Sequence, residues 1–154
     1  MKKAGIIIST LLLLSSCTLE EILDELSPDM TAKLDGTEWK ATVPYAVLED
    51  GKFIITGLSM SGETVSITVN GSESGTYNLN LTSAQCAAVY KESTENSLDD
   101  AYYAVSGKII LSRVDPDQKT VSGTFNFSVI RDITEPAIEI TEGKFSDLGY
   151  SVEE

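Results

Sequence analysis

The chain contains no histidine. That removes Ser-His-Asp and Cys-His nucleophile systems, and with them metal sites built on imidazole. Cysteine is nearly missing as well, with Cys17 and Cys86 the only two. Basic residues are scarce, at 11 against 24 acidic ones. A surface that acidic repels phosphate backbones, and no basic stripe interrupts it, so nucleic-acid binding is excluded. No apolar run reaches the roughly 20 residues a membrane-spanning helix needs. The stretch from Ala4 to Ser16 is the longest and falls short. No cofactor motif is present, and no cofactor or bound metal is expected.

That short apolar stretch has another reading. Met1-Lys2-Lys3 precedes it, and Leu11-Leu12-Leu13-Leu14-Ser15-Ser16-Cys17 ends it. A basic start, an apolar core and small residues before a cut describe a secretory signal over 1–16. The Leu-Ser-Ser-Cys ending resembles a bacterial lipobox, which implies that Cys17 is acylated and becomes the first mature residue. Removing 1–16 leaves 138 of the 154 residues, enough for one domain with its own core. Lys2 and Lys3 leave with the signal, taking the formal charge from −13 to −15. Ordinary apolar content and aromatics spread along the chain argue against disorder. With Cys17 lipidated, Cys86 has no intramolecular partner. Its setting, Gln85-Cys86-Ala87-Ala88-Val89, suits a buried inert thiol, the alternative being a reactive one.

Residues 17–29 read as an acidic tether. Leu19, Ile22, Leu23 and Leu26 recur at helical spacing, and Glu20, Glu21, Asp24 and Glu25 fill the other side. Ser27-Pro28 stops the pattern. A helix this short needs something to pack on, the domain or the membrane surface; otherwise the segment is a spacer.

From Met30 the period becomes two. Met30–Leu34 alternates, Asp35-Gly36 signals a hairpin turn, and Trp39, Ala41 and Val43 are expected inward, with Pro44 ending that strand. Further strands are read over 52–60, 63–70, 75–82, 102–114, 120–130, 138–140 and 144–150. Residues 86–90 fit a strand or a helical turn, and 91–100 a polar loop. Val65, Ile67 and Val69 should face inward, as should Tyr77, Leu79 and Leu81. So should Val121, Gly123, Phe125, Phe127 and Val129. Gly107 suggests a bulge or bend. The expectation is an all-β domain over 30–150, an antiparallel sandwich of about nine or ten strands with a β-barrel as the alternative, followed by a tail at 151–154.

Three stretches carry a resemblance. They are Met30-Thr31-Ala32-Lys33-Leu34-Asp35-Gly36-Thr37-Glu38-Trp39-Lys40-Ala41, Ser122-Gly123-Thr124-Phe125-Asn126-Phe127 and Glu142-Gly143-Lys144-Phe145. Together they resemble a family of Bacteroidetes lipoproteins built on a domain of unknown function. The resemblance implies a β-rich protein, lipid-anchored at the outer membrane, and brings no catalytic residues. Glu20 and Glu21 resemble the acidic signal that sends such lipoproteins to the cell surface, with Leu19 departing from its usual spacing.

The candidate site is a face without charge. Thr64, Ser66, Thr68 and Asn70 point outward on one strand, and Thr76, Asn78, Asn80 and Thr82 on the next. Ser122, Thr124, Asn126 and Ser128 do so on a third. The first two strands are expected to be neighbours. Hydroxyls and amides there suit a glycan or an envelope protein, though the same residues also merely solvate sheets. Thr68 and Asn78 are the candidate ligand-binding residues, with Tyr102 from the Tyr102-Tyr103 pair, of which one ring should be exposed. Asp99-Asp100 and Asp115-Pro116-Asp117 supply oxygens a calcium ion takes, but without a calcium loop's spacing, so turn solvation is the simpler reading. The expected function is a non-enzymatic binding or interaction module anchored in the membrane by lipid. The alternatives are a carboxylate-dependent hydrolase and a structural partner of another outer-membrane protein.

Overall fold

The computed structural model describes residues 29–154. The expected signal peptide, Cys17 and all but the last residue of the expected tether lie outside the described residues. The fold is all-β. Eleven strands follow in order: β1 (Asp29–Leu34), β2 (Thr37–Lys40), β3 (Val43–Glu49), β4 (Lys52–Leu58), β5 (Thr64–Val69), β6 (Gly75–Asn80), β7 (Ser83–Ala84), β8 (Cys86–Lys91), β9 (Tyr102–Asp115), β10 (Thr120–Ile130) and β11 (Ile138–Glu153). One 3-10 turn, Leu98–Asp100, is the only helical element among the described residues.

Local turn chemistry starts the hairpins. Asp35-Gly36 joins β1 to β2 with both residues at positive φ, 48° and 82°. Asp50-Gly51 repeats this between β3 and β4, at 48° and 74°. A two-residue turn of this hand matches strand twist, and glycine takes the second position without a Cβ penalty.

Seven strands close a ring: β3–β4–β5–β8–β9–β10–β11 and back to β3. The architecture is therefore the barrel alternative rather than the sandwich. The closing contact is parallel, with Tyr150–Glu153 of β11 beside Ala46–Glu49 of β3, so the sheet is not wholly antiparallel. It also places 151–153 inside β11, where a tail was expected. The β1–β2 hairpin extends from β11. The β6–β7 hairpin fills the wall where β8 and β9 part: β9 pairs β8 at Tyr102 and Tyr103 but β6 from Gly107 to Leu111.

The core is the barrel interior. Val65, Ile67 and Val69 on β5 are buried as their alternation predicts, and so are Val121, Phe125, Phe127 and Val129 on β10. Phe53, Ile55, Ile109, Ile140, Phe145 and Leu148 fill the rest, so side chains pack the lumen. The segment 86–91 is a strand, with Cys86, Ala88 and Tyr90 inward.

Four local expectations change. Val43 is 54% exposed, because β2 ends at Lys40 and a bend at Thr42 resets the alternation. Pro44 does not end a strand; it is the second residue of β3, ahead of the stretch where β11 pairs, so its missing N–H falls on an unpaired edge. Leu81 is fully exposed, because Asn80 Oδ1 accepts from the Thr82 N–H (2.9 Å) and hydroxyl (2.8 Å) and reverses the chain there. β9 bulges against β10 at two other places, Val105 between Ala104 and Ser106, and Ser112 between Leu111 and Arg113. Gly107 serves close approach instead: a Cβ there would lie 2.2 Å from the Asn126 carbonyl oxygen.

Candidate functional site

The three polar strand faces do not form one surface. β5 pairs β4 and β8, whereas β6 pairs β7 and β9. Gln85 stands between them. Its carbonyl accepts from the Asn70 N–H (2.9 Å), its own N–H donates to the Asn78 carbonyl (2.9 Å), and its Oε1 accepts from the Asn78 N–H (3.0 Å). Thr68 and Asn78 are thus on strands that are not neighbours. The β10 face is also not free of charge. Ser128 donates to Glu139 Oε1 (2.8 Å), Ser122 Oγ accepts from the Asp147 N–H (2.8 Å), and Asn126 lies opposite Lys108.

Of the tyrosine pair, Tyr102 is the inner ring, 7% exposed. Tyr90 packs on it at 5.7 Å between centroids, and the Arg131 guanidinium lies 5.1 Å from its ring centre. Arg131 is itself forked onto Glu135 at 2.8 and 3.1 Å, which raises its pKa. Burial, then the Glu92 carboxylate, push the Tyr102 phenol above its usual range. The exposed ring is Tyr103, at 45%. Its hydroxyl donates to the Leu98 carbonyl (2.9 Å), which fixes its orientation.

Strand pairing instead assembles a different uncharged surface, to which β5 contributes. Tyr45 on β3 pairs Thr56 on β4, Thr56 pairs Ser66 on β5, Ser66 pairs Val89 on β8, and Val89 pairs Tyr103 on β9. These five residues form one transverse row on the outside of the wall. A second row beside it runs Val47, Ile54, Thr68 and Ala87. Val43, Leu58 and Thr64 begin a third, which ends at Lys91. At roughly 4.8 Å per strand, Tyr45 and Tyr103 are about 19 Å apart around the wall. Both are about half exposed, as are Val43 and Val105. Thr56 at the centre is only 7% exposed, covered by its neighbours, and its hydroxyl shares a bond of 3.0 Å with that of Ser66. No charge stands in the first two rows. Lys91, Glu49 and Lys52 mark the rim.

Tyr45, Val47, Ile54 and Val89 were not among the expected site residues. A signal existed for Ile54 alone: the strand read over 52–60 is apolar on both faces at its start, which an outward face in water does not require.

The acidic clusters are turn structures. Asp115 Oδ1 accepts the N–H groups of Gln118 and Asp117, each at 3.0 Å. These bonds, the Gln118 one foremost, hold its carboxyl below the usual range. Asp100 accepts from Ser97 Oγ (3.1 Å) within the 3-10 turn. Among the described residues, no three metal-ligating side chains converge.

Chemically, the wall offers aromatic area and aliphatic contact over a hydroxyl pair, Thr56 and Ser66, that is bonded to itself. It holds no nucleophile with an attached base. Neither the curated proteins nor the solved structures contain a match to this chain. The family model described as Domain of unknown function (DUF6252) matches residues 26–149, which is most of the chain and runs from ahead of β1 into β11, and the chain belongs to that family.

Proposed function

We propose that this chain is a non-enzymatic interaction module, held to the bacterial outer membrane by a lipid on Cys17, that docks an envelope protein through its uncharged wall. The observation that carries this reading is the row from Tyr45 to Tyr103. In a chain of net charge −13, an outer face whose rows hold twelve uncharged residues is set apart from the rest of the surface. Interface cores lose charge and gain tyrosine and apolar area in the same way. The first two rows carry four aliphatic residues and two tyrosines against three serine or threonine hydroxyls, one of them buried, which favours a protein surface over a glycan. The anchor rests on the Leu-Ser-Ser-Cys ending of the signal. Surface exposure rests on Glu20 and Glu21.

Site-specific photocrosslinking in the native membrane tests the docking surface. A crosslinker at Tyr45 or Tyr103 should trap the same protein, and one at Ser122 should not. The adduct should vanish when Ala87→Lys, an exposed position of the second row, is added. Crosslinks from Ser122 alone, or none from either tyrosine position, would reject the wall as the interface. The anchor is tested separately: Cys17→Ser should move the protein out of the membrane fraction, and retention after a carbonate wash would reject lipidation.

A further inference from the structure

The tether carries an apolar stripe, Leu19, Ile22, Leu23 and Leu26, that lies outside the described residues. The strand pairing shows where that segment joins the barrel. Asp29, the first residue of β1, pairs Ser146 on β11, and β3 begins its pairing with β11 at Tyr150, opposite Ala46. Four residues of β11 separate the two points, about 13 Å along the strand. Ala46, Leu148 and Tyr150 fill the barrel beneath this junction, all buried. The open side there is the outer one, where Tyr45 and Val47 begin the uncharged wall.

Length and charge both match the wall. Leu26 stands three residues ahead of Asp29, a reach of about 10 Å in extended chain, enough to bring it beside Tyr45. As a helix, Leu19 to Leu26 spans about 10 Å, the width of three neighbouring strands such as β3, β4 and β5. A helix this short forms only against an apolar surface, and Val47 and Ile54 offer one. Residues 17–28 hold four acidic side chains and no basic one. In a chain of net charge −13, an acidic face repels such a segment. The first two rows of the wall hold no charge, and on the rim Lys52 and Lys91 outnumber Glu49. Neither lysine is in an ion pair with a described residue, so both ammonium groups can meet Glu20, Glu21, Asp24 or Glu25.

We propose that segment 17–28 is the resting occupant of the wall, with the Leu19–Leu26 stripe laid on Val47, Ile54 and Thr68 beside Tyr45, and that the envelope protein docks by displacing it. This rests on the reading of the wall as the docking surface and adds its regulation. The tether then does two things: it carries the lipid, and it covers the apolar rows until a partner competes for them.

Photocrosslinking at single tether positions tests this. The mature chain with Cys17→Ser is purified without lipid, and adducts are mapped by peptide mass spectrometry. A crosslinker at Ile22 should form an intramolecular adduct with β3, β4 or β5. The same group at Glu21, one residue away on the opposite face of the stripe, should form little. Thr68→Glu should remove the Ile22 adduct, and Lys52→Glu, at an exposed rim position, should reduce it with an unchanged melt. Equal adducts from Ile22 and Glu21 are those of a free spacer and overturn the proposal. So does an Ile22 adduct that survives both substitutions, and if Thr68→Glu does not fold, Lys52→Glu alone decides. In the native membrane, an Ile22 adduct with lipid and none with the wall also overturns it. Ile22→Ser with Leu23→Ser should raise the yield of the Tyr103 adduct with the envelope protein, and an unchanged yield overturns displacement. Absence of any Tyr103 adduct in the wild type rejects the docking function instead, while the Ile22 and Glu21 comparison still decides whether the tether covers the wall.

Discussion

The Trp39 indole lies across Gly57, so closely that a Cβ on that glycine would sit 2.7 Å from the ring's Cη2. The same Cβ would meet Met30 Sδ at 2.7 Å and Ala41 Cβ at 2.9 Å. One glycine on β4 thus provides the space in which the β1–β2 hairpin seats its largest side chain on the barrel.

Gly57→Ala should therefore destabilise by overpacking, by about 1–3 kcal/mol. Trp39 would have to move, so its emission should change in the folded state. Urea denaturation followed by fluorescence measures both. A variant with wild-type midpoint and emission would show that the hairpin gives way without cost.

Phe125→Ala should cost about 3–5 kcal/mol. Phe125 is 2% exposed and stacks between Phe127 at 6.4 Å and Phe145 at 6.3 Å. Truncation leaves a hole in the middle of the lumen. That approaches the whole stability of an ordinary domain, so poor soluble expression or a much lower melting temperature is expected. A melt within a few degrees of wild type would mean that the lumen collapses around the gap.

Alkaline pH should unfold the protein partly through Tyr90. Burial first, then the charge of Glu63 and the hydrogen bond to it, raise the Tyr90 phenol well above its usual range. A folded pKa raised above the unfolded value, roughly 10, contributes stability that is complete below pH 10. It is lost as pH climbs from there toward the folded pKa. Tyr90→Phe should lose the bond to Glu63 at pH 7, about 0.5–1.5 kcal/mol, but decline less above pH 10. Stability against pH for both proteins checks this, and parallel alkaline limbs would exclude Tyr90 as the cause.

Cys86 should be unreactive until the fold opens. It is 2% exposed, its thiol donates to the Tyr77 carbonyl (3.3 Å), and burial pushes its pKa up. Both effects keep the thiolate, the reactive form, scarce. With Cys17 replaced by Ser, a thiol reagent should label slowly in buffer and at once in denaturant. Fast labelling of the folded protein would show that β8 opens locally.

Much of this fold is legible residue by residue. The alternation of β5 and β10 predicts their inward faces, and Asp35-Gly36 predicts the first hairpin, because both signals act over a few residues of backbone. The lack of histidine and the acidic charge are likewise properties of composition that no folding alters. Where local rules stop, at a bend or an Asx turn, the alternation loses phase, which is why Val43 and Leu81 came out on the opposite side.

What only the tertiary structure decided is who stands beside whom. Side-chain period says which face a residue takes but not which strand lies next to it. The β6–β7 hairpin wedges between β8 and β9, so Asn78 is carried away from Thr68, although little chain separates them. The wall from Tyr45 to Tyr103 draws on five strands and could be seen only once their pairing was known. Barrel closure depends on β11 meeting β3 in parallel, a contact between Tyr150 and Ala46 more than a hundred residues apart in the chain. Such pairings are settled by the packing of the whole lumen, where large rings such as Phe53, Phe127 and Phe145 must all fit at once, and no local pattern encodes that sum.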